Sequence, residues 1–293
     1  MKKLCIALLC AISFTAAARA DEISEIREAC TGIADQIRSV QVLAGVSTGA
    51  SIGGTLANTT AFVSGLMKSA HDKTLAQLEM EIEAIEKMNH EEVLWLVGEI
   101  GRLHELEKKE QELSQKMGNV RTIGLGVGTA TGGVSAITSG IGAKQVGELA
   151  GQMDRCNRAI DGIKRLSMEK SVSGEPDEIA NFIAANCRKL DPGNMETIHK
   201  QMVASAVVSG VGAAASLTGA VTSAIAVNKE KKNNADATGT ITGRESTKTL
   251  NTVANVSAGV GMAASVGSIA LGAVVLSKLN KDSENARACE EIL

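Results

Sequence analysis

The chain of 293 residues carries 30 Lys and Arg against 33 Asp and Glu, a formal charge of −3 that leaves no basic field for holding nucleic acid. Hydrophobic residues make up 44% but aromatic residues 1%, with no tyrosine, so a conventional aromatic-rich core is excluded. Two prolines leave nearly the whole chain free to be helical.

Residues 1–20 read MKKLCIALLCAISFTAAARA: Lys2 and Lys3, an apolar run from Leu4 to Phe14, then Ala18-Arg19-Ala20. This is the charged, apolar and small-residue order of a cleaved signal peptide, and it predicts a mature chain starting at Asp21 with a charge of −6. Export implies a periplasmic, secreted or membrane-associated protein. Cys5 and Cys10 leave with the signal, and Cys30, Cys156, Cys187 and Cys289 remain. An even count in an exported chain predicts two disulfides.

The rest divides into a first helical half, 21–145, and a second, 146–293. Four segments contain no charged residue: 40–67, 122–143, 201–228 and 249–277. Three contain Gly-Val-Gly, at Gly126, Gly210 and Gly259. Small residues recur in steps of four. The first segment has Gly45, Gly49, Gly53, Ala57, Ala61 and Gly65, and the second has Gly124, Gly128, Gly132, Ala136 and Gly140. The third has Gly212, Ser216, Ala220 and Ala224, and the fourth Gly259, Ala263 and Gly267. On a helix such a step draws a stripe along one face, and small-residue stripes let two backbones approach closely, as in a glycine zipper. Each glycine weakens a lone helix by about 0.8–1 kcal/mol relative to alanine, so close pairing or a low-dielectric surrounding must hold these segments.

Each segment clears the roughly 20 residues needed to cross a bilayer, although the hydroxyl-rich second is the weakest span. The intervals on the two sides of a four-span arrangement would hold 14 and 13 Lys and Arg, so no positive-inside bias is present.

Between the first two segments, residues 71–117 are charged and periodic. Leu75, Leu78, Ile82 and Ile85, then Leu96, Ile100, Leu103 and Leu106, predict a long amphipathic helix, or a hairpin broken near Met88 with Asn89 and Glu92 as its cap. Residues 146–168 and 178–190 predict a helical hairpin turning at Gly174 and Pro176. That hairpin would place Cys156 beside Cys187, leaving Cys30 to join Cys289. Asp191-Pro192-Gly193-Asn194 reads as a turn opening the next helix, and 228–248 as an exposed loop.

Chemistry is sparse. His71, His90, His104 and His199 show no zinc spacing, no phosphate-loop lysine follows the glycines, and no nucleophile elbow is legible. No enzyme, cofactor or metal is expected. The fold expectation is an all-α, up-and-down bundle of four Gly/Ala/Ser-striped helices with the charged helix or hairpin. The functional expectation is association with, or insertion into, membrane lipid, with a homo-oligomer within that reading. The alternative is a soluble periplasmic or secreted bundle serving as a scaffold or binding a helical partner.

Overall fold

The computed structural model describes residues 24–87, 93–172, 182, 187, 190–235 and 242–292. The expected signal segment, the expected Asn89–Glu92 cap and most of the 173–189 stretch, with the turn expected at Gly174 and Pro176, lie outside them. The described residues form an all-α bundle of four long helices: α1 Ile33–Glu86, α2 Val93–Val172, α3 Pro192–Ala235 and α4 Thr242–Glu290. Residues 24–30 add a further helical stretch. It ends at Gly32, whose φ of 84° is the left-handed conformation that glycine adopts without penalty. A carboxylate then caps α1: Ala34 N donates to Glu290 Oε1 at 3.1 Å.

Sequence punctuation opens α3. Asp191 Oδ1 accepts from the backbone N of Gly193 (2.9 Å) and Asn194 (3.2 Å), and Pro192 takes the first position of α3. The expected loop at 228–248 is mostly helix, because α3 runs on to Ala235 and α4 begins at Thr242. This stretch contains no proline, and Lys232 in the last turn of α3 suits the helix dipole. The charged 71–117 region is a hairpin: α1 ends at Glu86, α2 starts at Val93, and Leu78, Ile82 and Leu103 pack together with Ile85 against them.

Buried positions recur every seven residues. On α1 they are Val40, Ser47, Gly54, Ala61, Lys68, Leu75 and Ile82, with a second row at Ile37, Ala44, Ser51, Asn58 and Gly65. On α2 the rows are Ser114, Arg121, Gly128, Ser135, Gly142, Leu149 and Cys156, and Gly118, Leu125, Gly132, Ser139, Val146 and Met153. α3 repeats at Met195, Met202, Ser209, Ser216 and Ser223, and α4 at Ala254, Gly261, Ser268, Val275, Asp282 and Cys289. A 3.5-residue average is the packing period of left-handed coiled coils.

Two compact units draw on all four helices and do not follow the sequence halves. Unit one comprises Met1–Ser47, Ile137–Ala206 and Ala270–Leu293. Its core is ordinary aliphatic packing, including Ile33, Ile37, Leu149, Met153, Ile160, Met195, Ile198 and Leu279. Asp282 is buried beside it and accepts from Asn194 Nδ2 at 2.5 Å. Burial raises its pKa above the usual carboxylate range, the Asn194 hydrogen bond opposing this. Unit two comprises Thr48–Ala136 and Val207–Ile269.

Candidate functional site

Beyond the buried Leu75, Leu78, Ile82 and Leu103 of the charged hairpin, the interior of unit two is made mainly from serine, glycine, alanine and asparagine, with Leu125 and two cations. One layer is a chain of hydroxyls, one from each helix: Ser51 to Ser135 at 2.9 Å, Ser135 to Ser209 at 2.9 Å, and Ser209 to Ser268 at 2.7 Å. Another is built on buried Asn58, whose Oδ1 accepts from Ser216 Oγ at 3.0 Å. Its side chain occupies the space that a Cβ at Gly128 or Gly261 would take. Leu125 is received in the same way by Gly219 and packs with Ala61, Ala254 and Ala258. Unit one has a hydroxyl layer of its own, Ser47 with Ser139 at 2.7 Å and Ser139 with Ser205 at 3.3 Å. From α1 to α2 the serine pairs run 47 with 139 and 51 with 135, and from α2 to α3 they run 139 with 205 and 135 with 209, numbers that rise on one helix and fall on the next, the mark of up-and-down neighbours.

The two cations form the densest polar layer. Lys68, 0% exposed, donates through Nζ to Asp72 (3.0 Å), Ser114 (3.0 Å) and Glu230 (2.8 Å). Arg121, also 0% exposed, donates from Nε to Ser223 (2.9 Å), from Nη1 to Asn255 (3.2 Å) and from Nη2 to Asn251 (2.6 Å). Asn251 in turn donates to Glu230 at 3.3 Å. All four helices supply a member. Gly118 makes room for Val227, with the lysine stem in van der Waals contact beside it, and Gly65 makes room for Asn255 with Arg121. A buried charge without a partner costs several kcal/mol, so this layer fixes the register of the helices that meet in it.

The exterior is the converse. In unit two Leu56, Val63, Ile123, Val127, Val207, Leu217, Val221, Val256 and Val266 are among the exposed large aliphatics, and all four helices contribute. Unit one exposes Val42, Val46, Ile137, Ile141, Val203 and Val274. Most of the exposed large hydrophobic residues lie in the four uncharged segments; the exceptions are Met80, Val97, Leu106, Val120, Met168 and Phe182. Threonine hydroxyls on this face are satisfied by their own helix. Thr60 donates to the Leu56 carbonyl (2.9 Å), Thr131 to that of Val127 (2.9 Å), Thr218 to that of Ala214 (3.0 Å) and Thr252 to that of Lys248 (3.0 Å). Three helices, Ser24–Glu86, Pro192–Lys232 and Thr247–Glu290, are long and apolar enough to cross a membrane.

The small-residue positions expected from the sequence are divided by this geometry. Gly65, Gly124, Gly128, Gly132, Gly212 and Ser216 are buried contacts, as is Ala61. A Cβ on Gly124 would stand 2.8 Å from the Ala57 carbonyl oxygen, one on Gly212 2.8 Å from Ala264 Cβ, and one on Gly132 3.1 Å from Ala213 Cβ. Gly53, Gly259 and Gly267 are peripheral, with a single neighbour each, and Ala57, Ala136, Ala220 and Ala224 are half-buried. Gly45, Gly49 and Gly140 have no neighbour at all within 4 Å of a Cβ, and Ala263 is exposed. The step-of-four row is therefore not the contact edge along its length. Each step of four turns about 40° around a helix, so the row leaves the interface within a few steps, whereas a seven-residue repeat stays on it.

The disulfide pairing expected from the sequence is also corrected. Cys30 bonds Cys156 and Cys187 bonds Cys289, all four within unit one. The expected Cys156–Cys187 pair rested on a fold-back between 146 and 190, and the chain does return beside α2, Leu190 N donating to Asn157 Oδ1 at 3.1 Å and Asn157 Nδ2 to the Leu190 carbonyl at 2.7 Å, but the cysteines take other partners. In the structure Cys156 lies on the buried row of an unbroken α2, facing Cys30, and Cys289 lies on the corresponding row of α4.

The histidines are dispersed. His71 Nδ1 pairs with Glu110, His104 with Glu107, and His199 Nδ1 meets the Ala143 carbonyl at 2.8 Å; His90 lies outside the described residues. Among the described residues no three His, Cys, Asp or Glu side chains gather as a metal site would need. Comparison with known proteins found no family model, no curated relative and no solved structure that matches this chain.

Proposed function

We propose that this is an exported protein that associates with or inserts into a membrane through the aliphatic outer faces of its helices. The observation that carries the reading is the inverted polarity of unit two outside its charged hairpin, with serine, asparagine and paired cations inside and valine, isoleucine and leucine outside on all four helices. A water-soluble monomer rarely exposes a large contiguous apolar patch. A partner protein would cover one side; apolar faces on every helix suit a surrounding solvent of lipid. Each Leu, Ile or Val placed in the bilayer centre contributes about −0.3 to −0.6 kcal/mol. The self-satisfied threonines ask nothing of that environment, since hydrocarbon offers no hydrogen-bond partner. The two disulfides agree with an oxidising compartment and with the signal-like residues 1–20.

The helices without a Cβ neighbour at Gly45, Gly49 and Gly140 leave room for a second copy at close range, which is the oligomeric form of the same proposal. The charged hairpin supports the alternative of a scaffold that binds a helical partner, because Met80, Val97 and Leu106 are exposed on it. Flotation of the purified protein with liposomes tests the choice. Co-flotation that resists high salt supports the membrane reading, and a soluble, lipid-free protein in the absence of detergent would leave the scaffold.

A further inference from the structure

All four uncharged segments end on a basic residue at both sides: Arg38 and Lys68, Arg121 and Lys144, Lys200 and Lys229, Lys248 and Lys278. In unit two, Lys68 and Arg121 turn inward and are engaged by the polar layer, while Lys229 and Lys248 are exposed. In unit one none of these cations is buried: Arg38, Lys144 and Lys200 are exposed and Lys278 is half-buried. Each follows or precedes an exposed aliphatic residue by about one helical turn, Arg38 with Val42, Lys144 with Ile141, Lys200 with Val203 and Lys278 with Val274. The first carboxylates come farther out, at Asp35, Glu148, Glu196 and Asp282. Leaving the apolar face, every helix therefore presents a cation before an anion. Arg38 and Lys144 hold no ion pair among the described residues, and Lys200 holds only an exposed i,i+4 pair with Glu196, a kind that contributes little.

We propose that Arg38, Lys144, Lys200 and Lys278 form a collar on unit one that binds the phosphate groups of anionic phospholipids at the edge of its apolar face. The inference rests on the membrane reading above and names the lipid class that reading leaves open. Phosphate is the first charged group beyond the hydrocarbon of a bilayer, and a cation is the first charged group beyond the aliphatic face of each helix. Long basic side chains lay their stems along apolar surface and place their heads at that level.

The test uses the purified, disulfide-bonded protein and vesicles of phosphatidylcholine alone or mixed with phosphatidylglycerol. The wild type is expected to bind the mixed vesicles more tightly, and to lose this preference as salt rises. Each cation removed should weaken binding to the mixed vesicles about fivefold at low ionic strength. The quadruple variant Arg38→Gln, Lys144→Gln, Lys200→Gln, Lys278→Gln should lose the preference while keeping wild-type binding to phosphatidylcholine and its melting temperature. Lys87→Gln, on the hairpin of unit two, should behave as wild type. A quadruple variant that keeps the preference, a Lys87→Gln loss of the size of one collar cation's, or a wild type indifferent to phosphatidylglycerol would overturn the collar and leave the membrane reading standing. A wild type that binds neither vesicle overturns both.

Discussion

Lys68 and Glu230 meet in unit two, Nζ to Oε1 at 2.8 Å, with the lysine wholly buried and the carboxylate partly so, at 18% exposed. Glu230 is also the acceptor for Asn251, which holds Arg121, so removing one carboxylate disturbs both buried cations. Breaking a buried pair by truncating one partner costs about 3–5 kcal/mol when nothing compensates; Asp72 remains near Lys68. Glu230→Ala is therefore expected to lower stability in urea unfolding by about 2 kcal/mol or more. Combining it with Lys68→Met should return much of that loss, because the uncompensated charge is gone. A Glu230→Ala variant within about 0.5 kcal/mol of wild type, the range of ordinary surface changes, would refute the lock.

The distinction between the seven-residue rows and the step-of-four row can be read from single glycines. Gly45→Ala and Gly140→Ala add a methyl to open space in a helix and should each stabilise by about 0.5–1 kcal/mol. Gly124→Ala meets the Ala57 backbone, which cannot swing aside, and should destabilise despite its better helix propensity. Thermal melts of the three variants decide it; destabilisation of the same size at all three would restore the step-of-four row as the contact edge.

Non-reducing peptide mapping should recover Cys30 linked to Cys156 and Cys187 linked to Cys289, at sequence separations of 126 and 102. Loops of this length stabilise a fold by about 4–5 kcal/mol in the chain-entropy model, with engineered cases often lower. Cys30→Ser with Cys156→Ser should cost a measurable part of that. A Cys156–Cys187 peptide from the native protein would contradict the pairing.

Asp282 supplies a pH signature outside the uncharged segments. Its folded-state pKa is raised, chiefly by burial, so the ionised form is penalised in the folded protein and this group's cost is present at neutral pH. As pH falls through the folded pKa, protonation relieves the penalty and its contribution turns more favourable. Asp282→Asn should raise the melting temperature at neutral pH, and the gain should shrink on acidification toward the unfolded carboxylate range. A gain that grows on acidification would reverse the assignment.

The helices themselves were legible because proline and aromatic residues are almost absent and charge leaves long uniform stretches. The buried face was harder to read. A core usually announces itself by leucine and isoleucine, and in unit two its rows read Gly54, Asn58, Ala61, Gly65 and Lys68 while the aliphatic residues point out. Lys68 and Arg121 looked like segment boundaries, since nothing in a single sequence tells a cation held by Ser223, Asn251 and Glu230 from one in water. The cysteine pairing did carry a signal. Cys30, on the helical stretch ahead of α1, stands seven residues before Ile37, and Cys156 continues the row of Gly142 and Leu149 on α2, so both fall on packed positions.

The inverted polarity is tested most directly by photolabelling from a reagent dissolved in the lipid phase, with incorporation mapped residue by residue on protein bound to liposomes. Label is expected at outward residues such as Val63, Ile123, Val207 and Val256, and not at Ser51, Ser135 or Ser209. Incorporation no greater than in lipid-free protein, or label concentrated on the serine rows, would contradict a bundle that turns its aliphatic side to the membrane.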